Sequence, residues 1–290
     1  KREEKPILLY GMGDGAEKIL SVLNERGIEI QGIFVSDDFV RDKSFHGFKL
    51  LSFSQAQSIF KSFIVLVAFG TSRQEVLDNI KAVSSKQQLY VPDVPVAGNQ
   101  LFDHAFAKQN EEKIRFVYNK LETDEDKYIY ESVIRFKMTG WQEYLHRSHQ
   151  PKAKVYEKLC LNEGAVCVDC GAFTGDTVSE LLMHNNCATV YAIEPDAKTF
   201  KKLKLYSETD SRIVPINAAV SDNENGVTFS AHGNRGSKSA DNGTLVPSVC
   251  IDKLVKDAVV DYIKFDVEGM EAKAINGAAE TIKKHKPKML

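Results

Sequence analysis

The chain lacks a long apolar run, an excess of charge of either sign and a cysteine framework, and each absence removes a class of protein. The longest unbroken apolar stretch, Phe63 to Phe69, is far short of the roughly 20 residues a bilayer-spanning helix needs. Lys plus Arg (38) nearly match Asp plus Glu (40), for a formal charge of -2, so no global field draws the chain to nucleic acid or an anionic membrane. Five cysteines, an odd number at irregular spacing, fit a reducing compartment, and a cytoplasmic location is expected. Cys167 and Cys170 form one C-x-x-C, but no second pair completes a zinc site, so both are expected to be small buried residues. The chain does not open on a signal peptide, and the start, without a Met, is expected to be trimmed from something longer.

What remains is an ordinary globular composition, 43% hydrophobic and 27% charged over 290 residues, enough for about two domains. From Pro6 to about Val96 strands and helices alternate. "PILLYGMG" enters a glycine turn, "AEKILSVLNERG" has helical spacing, and "IEIQGIFVSDD" and "FIVLVAFG" read as further strands before "SRQEVLDNIKAVSS". Residues 101–161 carry helical spacing without convincing strands, broken at Leu121 to Asp126, where Thr123 or Asp124 could cap a new helix. Their aromatics, Phe116 and Trp141 among them, are expected to be packing surface. From Gly164 alternation resumes through "AVCVDCG", "ATVYAIEP", "RIVPINAAV", "VTFSA" and "DYIKFDVEG", with helices between, including one over "MEAKAINGAAETIKKH". The expectation is an α/β protein of two Rossmann-like, mostly parallel domains, 1–100 and 162–290, joined by a helical connector, 101–161. "KPKML" at the end reads as the start of a further strand, so the second sheet is expected to be incomplete.

The turn after the strand at Val166 holds the chemistry. A strand passing through a glycine turn into a helix presents unpaired backbone N–H groups and the positive end of a helix dipole. The pattern is Asp169-x-Gly171-x-x-x-Gly175, neither a Walker loop nor a dinucleotide G-x-G-x-x-G. An acid just before the first glycine would repel a pyrophosphate and tolerate an ammonium, which favours a cationic cofactor. S-adenosylmethionine has that character. Cys170, Ala172 and Asp176 complete the turn, and Glu194, followed by Pro195, ends the next strand, where an acid can accept both ribose hydroxyls. Asn217 and Ala218 end the third strand, beside the adenine. In "IKFDVEG" alternation sends Lys264, Asp266 and Glu268 to one face and Ile263, Phe265 and Val267 to the other. Asp266 and Glu268 are candidate bases, Lys264 a candidate to orient a carboxylate or steady an alkoxide, and Asp266 also a candidate cofactor contact. Mg²⁺ at Asp266 and a neighbouring acid is weighed as well, without a ligand set that calls for it.

These segments, Val168 to Ala172, Gly175 to Thr177, Glu194-Pro195, Asn217 to Ala219 and Ile263 to Gly269, resemble the FkbM-type methyltransferases over about Tyr156 to Leu290. The resemblance implies a class I methyltransferase fold, here without its final strands. It further implies transfer of a methyl from S-adenosylmethionine to a hydroxyl of a sugar, polyketide or similar metabolite. His232, in the glycine-rich segment Ala231 to Thr244, belongs either to a loop covering the acceptor or to a plain surface loop.

The first glycine turn, Gly11-x-Gly13-x-Gly15-Ala16, fits dinucleotide spacing, with Asp37 and Asp38 in the region expected to follow the second strand. "GIFVSDD" and "HGFKLLSFSQA" resemble the small domains that precede sugar-modifying acyltransferases, which implies nucleotide-sugar binding. Recognition of a nucleotide or nucleotide-sugar, a degenerate domain serving oligomerisation or docking, and NAD(P) redox chemistry all stay open. For the whole chain, an NAD(P)-dependent sugar-modifying oxidoreductase and a non-catalytic scaffold remain the alternatives to a methyltransferase of a sugar, nucleotide-sugar or glycan precursor. The partners expected are a small-molecule or sugar substrate and a second copy in a homo-oligomer. His146 and His149 share a helix face but have no further ligand in view.

Overall fold

Strand β1 (Ile7–Tyr10) runs into the first glycine turn and α1 (Asp14–Glu25), which buries Ile19 and Leu20 and ends before Gly27. The structure, a computed structural model, describes residues 5–36, 44–95, 100–149, 151–230, 238–239 and 244–290. There follow β2 (Gly32–Phe34), β3 (Ser44–Phe45), β4 (Phe48–Leu51), α2 (Phe53–Phe60), β5 (Ile64–Val67), α3 (Gln74–Ser84) and β6 (Gln88–Tyr90). They form one sheet in the order β3-β4-β2-β1-β5-β6, parallel except for the β3–β4 hairpin. The apolar run at Phe63 supplies β5, whose Val65 and Val67 pack into one cluster and Leu66 into another, so both faces are covered.

Four helices complete this unit: α4 (His104–Gln109), α5 (Glu111–Tyr118), α6 (Asp124–Thr139) and α7 (Gln142–Ser148). The expected break is present, and Thr123 is the cap, its hydroxyl oxygen accepting the Asp126 N–H at 3.1 Å. The end of α6 is tied to the first sheet: the Val91 N–H donates to the Gly140 carbonyl at 2.6 Å, and Lys137 pairs with Asp93 at 2.8 Å. Arg26 reaches Asp103 at 2.8 Å. The stretch read as a connector is therefore divided. Described residues up to 149 cluster as one unit and those from 151 onward as another. Of the aromatics, Phe116, Tyr118, Tyr128 and Trp141 stay exposed.

The second unit contains α8 (Lys152–Leu159), β7 (Ala165–Cys170), α9 (Asp176–His184), β8 (Cys187–Ile193), α10 (Ala197–Ser207), β9 (Ile213–Ile216) and β10 (Ala219–Val220). It continues with β11 (Val227–Ser230), β12 (Lys238–Ser239), β13 (Thr244–Val246), β14 (Ser248–Val249), α11 (Ile251–Val255), β15 (Tyr262–Phe265), α12 (Glu271–Asn276), α13 (Ala279–His285) and β16 (Lys288–Met289). The main sheet, β16-β15-β7-β8-β9, is wholly parallel. Its order reverses at β7, and such a reversal opens a crevice at the carboxyl ends of the strands.

Three expectations change here. The segment "VTFSA" is not part of the parallel sheet: β11 pairs antiparallel with β12 and β13. The single helix read over Met270 to His285 is two, α12 and α13, parted at Gly277, whose carbonyl accepts the Asp252 N–H at 3.0 Å and where a Cβ would stand 2.0 Å from the Ser221 carbonyl oxygen. The segment "RIVPINAAV" also divides: β9 joins the main sheet, while β10 pairs with β14. Cys167 and Cys170 point to opposite faces of β7, into separate apolar clusters, as small buried residues should. All five cysteines are free. Among the described residues, no helix is long and apolar enough to cross a membrane.

Candidate functional site

The carboxyl ends of β7, β8 and β15 are stitched together by backbone hydrogen bonds. The Gly171 and Ala172 N–H groups both donate to the Ile193 carbonyl at 3.0 Å, and the Asp266 N–H donates to the Cys170 carbonyl at 3.0 Å. Gly171 has φ +86°, and a Cβ there would lie 2.0 Å from the Asp266 carbonyl oxygen. Only glycine lets the ends of these two strands approach this closely.

Beside this junction lies a cavity of about 560 Å³. Asp176, Thr177 and Glu180 reach it from α9, Glu194 and Pro195 from the end of β8, and Lys264, Asp266 and Glu268 from β15 and the turn beyond it. Its apolar wall includes Ala218, Val227 and Met270. Among the described lining residues the carboxylates of Asp176, Glu180, Glu194, Asp266 and Glu268 face one ammonium, that of Lys264. The strand ends at Phe265, so the alternation expected through Glu268 stops there. Val267, assigned to the opposite face, lines the same cavity, and Glu268 adopts φ +50°, a costly conformation for a residue with a side chain.

Several expected contacts lie behind the cavity rather than on it. The Asp169 side chain is 3% exposed, receives the Thr177 hydroxyl and pairs with the Lys264 ammonium at 3.1 Å. Its charge therefore meets Lys264, not the cavity. Cys170 and Ala172 are fully buried in apolar clusters, and Gly175 caps α9 against the Tyr206 ring. The Asn217 amide donates to the Glu194 and Pro195 carbonyls at 2.9 and 3.2 Å, holding the segment that carries Glu194. Gly171, Asp176, Glu194, Pro195, Ala218, Lys264, Asp266 and Glu268 do line it. Tyr156 and Glu180 also line it, and the sequence pattern did not single them out; the Tyr156 hydroxyl donates to Glu180 at 3.2 Å. Neither residue belongs to a turn, and the helical spacing around both reads as ordinary packing.

Burial sets the protonation chemistry. It pushes the Glu194 carboxyl up to about 7, against the N–H donors of Asp196 and Phe173 that favour the charged form. Burial also raises Asp169, opposed by the Lys264 charge and the Thr177 hydroxyl. For Lys264 burial acts against the charge, but Asp169 and Asp266 outweigh it and the ammonium is held above its ordinary value. The Tyr156 hydroxyl is pushed up to about 12, first by burial and then by Glu180.

A raised carboxyl binds its proton more tightly folded than unfolded, so the stability Glu194 contributes is full below about 4.5 and is lost as pH rises through about 7. Urea unfolding of the wild type and Glu194→Gln should therefore diverge, the wild type losing roughly 2–3 kcal/mol relative to the variant between pH 5 and pH 8. A difference that does not change with pH would remove this assignment.

In the first unit Gly15 serves packing: its Cβ would stand 2.1 Å from the Ala68 carbonyl oxygen. Gly11 lies under the Phe69 ring, and Gly13 precedes α1 with open space around it. Asp37, Asp38 and His232 fall outside the described residues. His146 and His149 lie at the end of α7, and among the described residues no group of three or more His, Cys, Asp or Glu could hold a metal ion.

Residues 169–290 match the Methyltransferase FkbM domain. The FkbM match begins at Asp169 itself and takes in every lining residue except Val155 and Tyr156. The crystal structure of methyltransferase FkbM from Methylobacillus flagellatus KT resembles this chain with a TM-score of 0.69 and 20% identity, over 98% of this chain and 78% of that one. At that identity the likeness is one of fold. No curated protein matches the chain.

Proposed function

We propose that the second unit is an S-adenosylmethionine-dependent methyltransferase that methylates a hydroxyl of a sugar or sugar-like acceptor. The observation that carries this reading is the cavity at the strand ends, lined by five carboxylates and by one lysine whose charge Asp169 already meets. Such a lining attracts a cation and repels a diphosphate. The match to the FkbM domain and the fold likeness support it. The five free cysteines agree with a reducing, cytoplasmic setting.

When bound, the donor would supply a methyl on a sulfonium, already a good leaving group. Glu194 would accept the ribose hydroxyls, its carboxylate held by two backbone N–H groups. The apolar wall at Ala218 and Met270 would receive the adenine. Asp266, more exposed than its neighbours, and Glu268 would stand where an acceptor hydroxyl loses its proton. Holding that oxygen close and in line would supply most of the rate.

Calorimetric titration of S-adenosylmethionine, S-adenosylhomocysteine, NAD and a UDP-sugar tests the assignment directly. The two adenosyl compounds should bind, and NAD binding without them would select an oxidoreductase instead. Glu194→Ala should weaken S-adenosylhomocysteine binding by about 1–3 kcal/mol, the scale of a lost hydrogen bond to a charged group. Unchanged affinity in that variant would show the ribose site to be elsewhere.

A further inference from the structure

Asp169, one residue before the end of β7, stands directly opposite Lys264 in the parallel register with β15. The two side chains are 3% and 11% exposed and meet at 3.1 Å. The second Asp169 oxygen takes the Thr177 hydroxyl, which closes the carboxylate off from the cavity. Lys264 does line the cavity, and it also reaches the Gly171 carbonyl at 3.3 Å and Asp266 at 3.4 Å. Left unbalanced, this ammonium would place a positive charge in the wall beside Asp266 and Glu268.

We propose that Asp169 is a positioning residue that acts through Lys264: it is the internal counter-ion that cancels the lysine's charge, so that the cavity favours a cationic methyl donor over its neutral-sulfur product. The inference rests on the donor assignment made above. S-adenosylmethionine and S-adenosylhomocysteine share the adenosine, the ammonium and the carboxylate, and differ by one methyl and one positive charge at sulfur. Their affinity ratio therefore isolates the electrostatics of the wall from its shape. A preference of this kind also favours exchange of spent product for fresh donor.

Both ligands are titrated calorimetrically into the wild-type chain, Asp169→Asn and the double variant Asp169→Asn/Lys264→Met. Asp169→Asn removes the buried counter-ion and leaves Lys264 paired with the more exposed Asp266 carboxylate at 3.4 Å, and should lose affinity for S-adenosylmethionine about tenfold more than for S-adenosylhomocysteine, the scale of one added charge several ångströms away. The double variant removes both charges and should return the ratio to the wild-type value. Equal losses for the two ligands in Asp169→Asn would mean a merely structural role and overturn the proposal. Should Asp169→Asn fail to fold, Lys264→Met decides in its place: it leaves the Asp169 charge unbalanced and should move the ratio about tenfold toward S-adenosylmethionine. An unmoved or reversed ratio there overturns the counter-ion role. A wild-type chain that binds neither ligand removes the donor assignment itself, a result distinct from a wild-type chain that binds both without the ratio moving in Asp169→Asn.

Discussion

Gly171→Ala is expected to abolish measurable S-adenosylhomocysteine binding and to lower the unfolding free energy by about 2–4 kcal/mol. Two costs add. The backbone at Gly171 has φ +86°, which a residue with a Cβ adopts only under strain, and the added methyl would stand 2.0 Å from the Asp266 carbonyl oxygen. That oxygen is backbone, so no side-chain rotation relieves the clash. The ends of β7 and β15 must separate, and with them go the Asp266 N–H to Cys170 carbonyl bond and the alignment of Lys264 and Asp266 with the turn. Denaturant unfolding measures the first effect and calorimetry the second. An alanine variant as stable as the wild type, with intact affinity, would show that the junction is looser than its geometry implies.

Lys264→Met is expected to cost about 3–5 kcal/mol, the usual penalty for removing one partner of a buried pair. Asp169 keeps the Thr177 hydroxyl but loses the cation paired with it at 3.1 Å. The penalty should depend on pH in a definite direction. Burial already raises the Asp169 carboxyl, and removing the ammonium takes away the strongest opposing influence. A carboxyl raised in the folded state stabilises the fold when protonated, and that contribution is lost as pH climbs through its folded value. Lys264→Met should thus approach wild-type stability in mild acid and fall furthest behind above neutral pH. Unfolding curves for both proteins across pH 5 to 8 decide it, and a penalty that grows toward acid would reverse the assignment of the charges.

Much of the fold could be read along the chain because glycine turns and apolar runs act locally. Tyr10 enters one turn and Cys170 the other, and Thr123 caps α6 as its spacing suggests. Less local features were harder to read. Strand β11 has the alternation of any strand, and nothing in four residues says whether its neighbour runs parallel or antiparallel. The need for glycine at position 277 comes from the Ser221 carbonyl, more than fifty positions away along the chain. Tyr156 reaches the cavity from a helix that precedes the glycine turn, with no motif of its own.

The candidate site divides in the same way. By itself the sequence determined which residues lie at or next to the strand ends, Asp169, Glu194 and Lys264 among them, because strand period and turn chemistry are properties of neighbours in the chain. Only the tertiary structure decided where their charges go. Strand pairing set Lys264 against Asp169 and turned that acid inward, while Glu194, Asp266 and Glu268 were left to line the cavity. Periodicity assigns a side chain to a face, but the partner it meets there belongs to another strand, and Coulomb energy at contact distance depends on that partner.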